Sequence, residues 1–170
     1  MANGAVDETG TPRVRSRTTW VVATVAIIVL VDQLTKHWAV SQLADGPLYV
    51  IDDWARFELA RNSGSAFSGF QGYTPILAVL AIGITVVIIR MARRTTDRWM
   101  LIGLTLVLGG ALGNLCDRFF RAPGFLRGHV VDFVAVGDFP LFNVADSCIT
   151  IGAIILIART IFAPQASPVS

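Results

Sequence analysis

Four apolar runs, each long enough to fill most of a bilayer, decide what this chain can fold into. They begin at Trp20, Pro75, Trp99 and about Ser147, and the last three end at Met91, Cys116 and Ala163. A helix of 17 or 18 residues covers about 26 Å, close to the roughly 30 Å hydrocarbon core of a membrane. The composition agrees, with 54% hydrophobic and only 15% charged residues, against about 25% charged in soluble domains. A net charge of +2 over 170 residues is too small and too dispersed for a nucleic-acid surface. Cys116, Cys148, His37 and His129 show no metal-ligand spacing, so neither a metal nor another cofactor is expected, and the cysteines read as small apolar residues. The expected architecture is an integral membrane protein, mainly α. A single domain over 18–163 holds spans at about 18–40, 75–92, 99–116 and 147–163, between short tails at 1–17 and 164–170.

The ends of the runs are punctuated as helices should be. Thr74 followed by Pro75 is an N-cap with proline in first position, Asp97 can cap the third helix, and Pro164 follows the fourth. The first run is anomalous. Its uninterrupted apolar part, Trp20 to Val31, covers only about 18 Å, so a spanning helix must continue through Asp32, Gln33 and Lys36. Ionisable groups near membrane depth cost roughly 2.5–3.5 kcal/mol each at a helix centre and are functional candidates by default. A cleaved signal peptide is the competing reading of this segment, but it ends in DQLTKHW rather than in small residues.

Basic residues set the expected topology. Arg13, Arg15 and Arg17 precede the first helix, and Arg90, Arg93, Arg94 and Arg98 crowd the link between the second and third, which places both ends of the chain in the cytoplasm. Residues 1–12, polar with nothing to bury, are expected to be a disordered tail. In this orientation Asp32 and Lys36, then Asn114, Asp117 and Arg118, then Asn143 and Asp146 all reach the same outer membrane face, with Asp132 in the loop between the last two helices.

Each cluster also has a bland reading. Asp32 and Lys36 are four apart with the acid first, the better order for a helical ion pair. Gly109 and Gly113 form a GxxxG packing face. Residues 54–59 suggest a short strand that leads into an Asn62-Ser63-Gly64 turn, and HVVDFVAV reads as a second β segment. Asn143 is a plausible N-cap with Asp146 at the third helical position, so Asp146 could complete a cap and Asp132 could be a solvated charge. Brought together, however, the two acids could share a proton and act as an aspartic-protease dyad. Serine chemistry has less support, because Ser63, Ser65 and Ser68 have no evident histidine partner.

In order along the chain, DQLTK (32–36), NSGSAF (62–67), GGALGNLCDR (109–118), VVDF (130–133) and FNVADS (142–147) resemble the lipoprotein signal peptidases, or signal peptidase II. Ser65 stands where alanine is usual in that family, and Cys116 where an aliphatic is common. The resemblance implies four transmembrane helices with a small extracytoplasmic β cradle. It also implies an inner-membrane aspartic endopeptidase that cuts prolipoproteins just before a diacylglyceryl-modified cysteine. It places the catalytic dyad on Asp132 and Asp146, and site-supporting or substrate-binding roles on Asp32, Lys36, Asn62, Gly64, Asn114, Asp117, Arg118 and Asn143. The expected partners are lipid-modified prolipoproteins and the phospholipid bilayer, with no nucleic acid, and the expected state is a monomer. The rival reading is a small transporter or channel subunit whose intramembrane Asp32, Asp117 and Asp146 relay protons or bind a cation.

Overall fold

The computed structural model describes residues 13–64 and 74–162. The expected N-terminal tail at 1–12, the loop residues 65–73 with Ser65 and Ser68, and positions 163–170 lie outside the described residues. Four helices carry the apolar runs: α1 (Arg13–Gln42), α2 (Thr74–Arg94), α3 (Arg98–Phe120) and α4 (Val144–Phe162). All four are long and apolar enough to cross a membrane. α1, with 30 residues, is about 45 Å long and overshoots a bilayer core. Three strands lie between the helices: β1 (Leu48–Ile51), β2 (Ala55–Asn62) and β3 (Val130–Val136).

α3 is the axis of the bundle. Half of its most apolar window is buried, against 11–22% for the other three helices, so those three turn large apolar side chains such as Leu30, Leu34, Val79, Leu80, Ile154 and Ile157 outward. Such continuous exposed apolar surface suits a protein solvated by lipid. Small residues let the neighbours approach α3 closely. A Cβ built on Gly109 would lie 2.8 Å from Ile28 of α1, and one on Gly110 would lie 2.3 Å from the Ala145 carbonyl oxygen of α4. Gly113 faces Asp32, whose Oδ2 would sit 2.7 Å from an added Cβ. The expected GxxxG packing is therefore present.

The helix ends are tied as their sequences suggest. Asp97 caps α3 by accepting the Met100 amide at 2.8 Å, and Arg159 near the end of α4 pairs with the same carboxylate at 2.6 Å. The hydrogen bond from Arg159, then that from Met100, hold the Asp97 carboxyl below its usual range. Thr74 begins α2, and its hydroxyl donates to the Ser63 carbonyl at 2.8 Å, so the end of β2 is pinned to the start of α2.

The three strands form one antiparallel sheet in the order β1-β2-β3. It docks on the last turns of α1, where Ala39 and Leu43 pack against Val131 and Phe133 and Trp38 meets Phe57 edge-on at 5.4 Å. β1 is not anticipated by the sequence reading. Its four residues are all exposed, so LYVI lacks the polar alternation that marks a half-buried strand. Between Phe57 and Ala60, β2 spends three steps while β3 spends two, from Val134 to Asp132. This bulge shifts every later residue of β2 to the opposite face. Without it, Arg61 would share a face with Asp132; with it, Asn62 does.

The close helix contacts make a paired test. Gly110→Ala would drive a methyl into the backbone of α4 and should lower stability by about 1–3 kcal/mol. Gly83→Ala on α2 would meet nothing within 4 Å and should raise it by roughly 0.5–1 kcal/mol through helix propensity. Thermal unfolding of both variants in detergent reads the two signs.

Candidate active site

At the sheet end of the bundle, helices of apolar sequence bury a set of charges. Asp32, Lys36 and Asp117 are 0% exposed. The Lys36 ammonium has three hydrogens to place, and it meets three oxygens: Asp32 Oδ2 at 2.8 Å, Asp117 Oδ2 at 3.0 Å and Asn114 Oδ1 at 2.9 Å. The first contact is the pair within α1 expected from the spacing. The other two cross to α3.

Both carboxylates then reach onward. Asp32 Oδ1 accepts the Ala145 amide at 2.9 Å, one of the amides left unpaired at the start of α4. Asp117 Oδ2 accepts the Val131 amide of β3 at 3.0 Å, and its Oδ1 receives Arg121 at 2.6 Å. Gln33 bridges the pair, donating to Asp32 and Asp117 at 3.2 Å each. Two acids and two bases balance, so the centre carries no net charge while it fixes α1, α3, α4 and β3 to one another. Gln33 and Arg121 are members that the sequence reading missed. For Gln33 the available signal was its polarity at membrane depth beside Asp32; Arg121 lies four residues after Asp117, the same spacing that exposed the pair in α1.

Asp132 and Asp146 are built on top of this centre. β3 presents Asp132, 3% exposed, on the face that the bulge gives to Asn62, and Asn62 Nδ2 donates to Asp132 Oδ2 at 3.0 Å. Asn62 is itself aimed by a tight turn: its Oδ1 accepts the Gly64 amide at 2.8 Å, and Gly64 has φ +97, a conformation that favours glycine. Asn143 caps α4, accepting the Asp146 amide on its Oδ1 at 2.9 Å, while its own amide donates to Asp146 Oδ2 at 3.3 Å. The capping arrangement expected as the bland reading is therefore real, and it does not use up the site. The Asn143 Nδ2 donates to Asp132 Oδ1 at 2.6 Å, and Asn114 Nδ2 donates to Asp146 Oδ1 at 2.8 Å.

Each of the four carboxylate oxygens thus accepts one N–H, and three asparagines supply all four donors. Asp132 and Asp146 line one cavity of about 250 Å³ together with Asn62, Asn114, Arg118 and the apolar Leu77. Arg118 donates to the carbonyls of Asn62 at 3.1 Å and Gly128 at 3.0 Å, which clamps the ends of β2 and of the loop before β3. Burial pushes the Asp132 carboxyl up to about 6, against the hydrogen bonds from Asn62 and Asn143 and with the charge of Asp146 adding to the rise. All ten residues singled out in the sequence stand in this one assembly. Two carboxyl groups over a shared cavity, one of them with a raised pKa, can divide the tasks of proton acceptor and proton donor.

The fold is that of a bacterial membrane enzyme. A solved structure described as a bacterial membrane enzyme determined by the in meso method superposes with a TM-score of 0.76 at 28% identity, over 86% of this chain and 95% of the other. A second of the same description gives 0.72 at 27% identity, over 88% and 94%. The family model of signal peptidase (SPase) II matches residues 24–162, and the chain belongs to that family of peptidases. Proteins named lipoprotein signal peptidase are similar along most of the chain. The one from Mycolicibacterium smegmatis is 48% identical over 95% of this chain and 68% of its own length. That of Mycobacterium avium is 51% identical over 81% and 76%. The transporter reading finds no support in these likenesses.

Two outcomes test the site as described. Lys36→Met leaves the buried Asp32 carboxylate without a cation and Asp117 with Arg121 alone, and should destabilise the protein by about 3–5 kcal/mol, read as a large drop in unfolding temperature in detergent. For Asp132 the sign follows from its raised pKa. Between pH 4 and 6 the folded chain holds a proton there that the unfolded chain has released, so this group weakens the fold as pH rises through the window. The unfolding temperature of Asp132→Asn, measured relative to wild type, should therefore climb from pH 4 to pH 7. A flat or falling difference would contradict the raised pKa.

Proposed function

We propose that the chain hydrolyses the peptide bond immediately before the diacylglyceryl-modified cysteine of bacterial prolipoproteins and so releases their signal peptides, with Asp132 and Asp146 as the catalytic pair. The observation that carries the reading is the placement of both carboxylates on one cavity, with every oxygen held by an amide donor. Sharing one proton, the pair works as a unit. The ionised member takes a proton from water as the water oxygen attacks the scissile carbonyl carbon. The protonated member hydrogen-bonds the carbonyl oxygen as negative charge grows there, then passes a proton on to the leaving amine. The amide donors fix both carboxyl planes before substrate arrives, so little reorganisation is needed in the transition state.

The same reading accounts for the depth of the site. Acyl chains on the substrate cysteine hold the scissile bond at the membrane surface, and a pair at helix-end depth meets it there. The arginines of the first turns of α1, and those at the end of α2 and the start of α3, favour an orientation with both chain ends in the cytoplasm and the sheet on the outer face of the inner membrane. Asp32, Lys36 and Asp117 hold the frame. Asn62, Asn114 and Asn143 position the dyad, with Gly64 and Arg118 setting Asn62. The enzyme works as a monomer with no cofactor.

Cleavage of a diacylglyceryl-modified prolipoprotein by purified wild type, Asp132→Asn and Asp146→Asn tests this directly. Both variants should fold, by unfolding temperature, and lose at least about 100-fold in rate, the lower end of what a positioned acid or base contributes. Retained cleavage in either variant would remove that residue from the chemistry.

A further inference from the structure

A cavity larger than the one at the dyad lies elsewhere in the molecule. At the opposite end of the bundle a groove of about 840 Å³ runs between α1 and α2, lined by Val21, Val25, Ile89 and Leu112 and bounded by Arg17 and Arg93. Its existence follows from the packing. α1 and α2 each lie against α3, but nowhere do they approach each other within 8 Å, Cα to Cα. What joins them is Arg17, whose Nη2 donates to the carbonyls of Ala92, at 3.1 Å, and Thr95 at the end of α2. These bonds use one amino group of the guanidinium and leave Nε–H and the second amino group outside them. Arg93 is exposed, and among the described residues neither arginine is in an ion pair.

We infer that this groove is a binding site for one anionic phospholipid, with an acyl chain against the apolar wall and the phosphate between Arg17 and Arg93. The volume lies within the roughly 300–1,000 Å³ of sites that take small ligands. An apolar trough ending in two cations matches a molecule with an apolar tail and an anionic head, and basic pockets between membrane helices recognise such headgroups. Charge complementarity also selects against the other occupant that could lie there, the helix of a signal peptide. On the function proposed above, the positively charged leading segment of that peptide would lie at the level of Arg17 and Arg93 and be repelled.

The test is native mass spectrometry of the purified full-length protein, carried from neutral detergent containing equal phosphatidylglycerol and phosphatidylcholine of identical acyl chains. Wild type should retain one phosphatidylglycerol with about a fivefold preference, the equivalent of ~1 kcal/mol for one arginine at a lipid headgroup. Arg93→Gln should bring the preference close to one. Val25→Trp, which fills the groove and leaves both arginines in place, should abolish retention, while unfolding temperatures report that each variant is folded. Adding inorganic phosphate at millimolar concentration should not displace the lipid, because the acyl chain contributes to its hold. Equal retention of the two lipids by wild type, or an unchanged preference in both variants, would overturn the proposal. So would a Val25→Trp enzyme that keeps its lipid but shows a raised KM for full-length prolipoprotein, which would give the groove to the signal peptide. Because lipid retention is read without turnover, failure here and failure of the proposed peptidase chemistry are separable.

Discussion

The structure depends on a single buried ammonium. Lys36 sits with two carboxylates among helices that otherwise present hydrocarbon to hydrocarbon, and the desolvation of an ion of that size costs several kcal/mol unless its charge and hydrogens are answered. Here they are answered completely, by Asp32, Asp117 and Asn114. Because each partner also bonds a group on a different element, the cost of burying the charge becomes a geometric constraint. α4 is held by Asp32 through Ala145, β3 by Asp117 through Val131, and Asp146 by Asn114. Hydrophobic burial alone would let these elements slide in a lipid environment, where helix faces gain little by meeting one another. The polar centre sets the register.

That constraint explains why asparagines surround Asp132 and Asp146 where charged donors could have been used. On the proposed mechanism, a lysine or arginine in contact with both acids would hold both ionised and remove the shared proton that the acid–base work requires. A neutral amide donates a hydrogen bond without a full charge, so it orients the carboxyl and leaves the proton free to move. Burial can then raise Asp132 to about 6 even with two amide donors in place. The cations that pair with carboxylates here, Lys36 and Arg121, stay one layer below, on Asp32 and Asp117, while Arg118 at the cavity wall spends its bonds on the Asn62 and Gly128 carbonyls.

Local features of this design could be read from the sequence, and those that depend on chain crossings could not. The ion pair of Asp32 with Lys36 follows from a spacing of four on one helix, and the cap of Asn143 with Asp146 from a spacing of three at a helix start. The meeting of Asp132 with Asp146 could be argued because only a short turn separates β3 from α4. By contrast, the link from Lys36 to Asp117 depends on where α1 crosses α3, which is set by Gly109 and Gly113 jointly with Ile28 and has no local signature. The contact of Asn62 with Asp132 depends on a bulge that moves β2 by one residue, and a strand read by alternation alone would have offered Arg61 instead. β1 escaped because both of its faces are exposed and leave no alternation to detect.

The division of labour among the helices has a mechanical meaning. The polar groups of the frame and of the carboxylate pair come from α1, α3, α4, β2, β3 and their flanking turns, whereas α2 contributes only the apolar side chains of Leu77 and Ala81 to the cavity wall. α2 is also the helix with the fewest attachments. Among the described residues its only helix neighbour is α3. Leu77 also lies against Gly64, and the ends of α2 are pinned by the hydrogen bonds of Thr74 and Arg17. The aligned carboxyl groups therefore stand on a scaffold that does not include the wall beside them. At the cavity end the polar link between scaffold and wall is Thr74, whose bond to the Ser63 carbonyl joins the start of α2 to the turn that aims Asn62 at Asp132. The helix that lines the cavity with hydrocarbon and the elements that orient the two carboxyl groups are therefore distinct, and they meet at that turn.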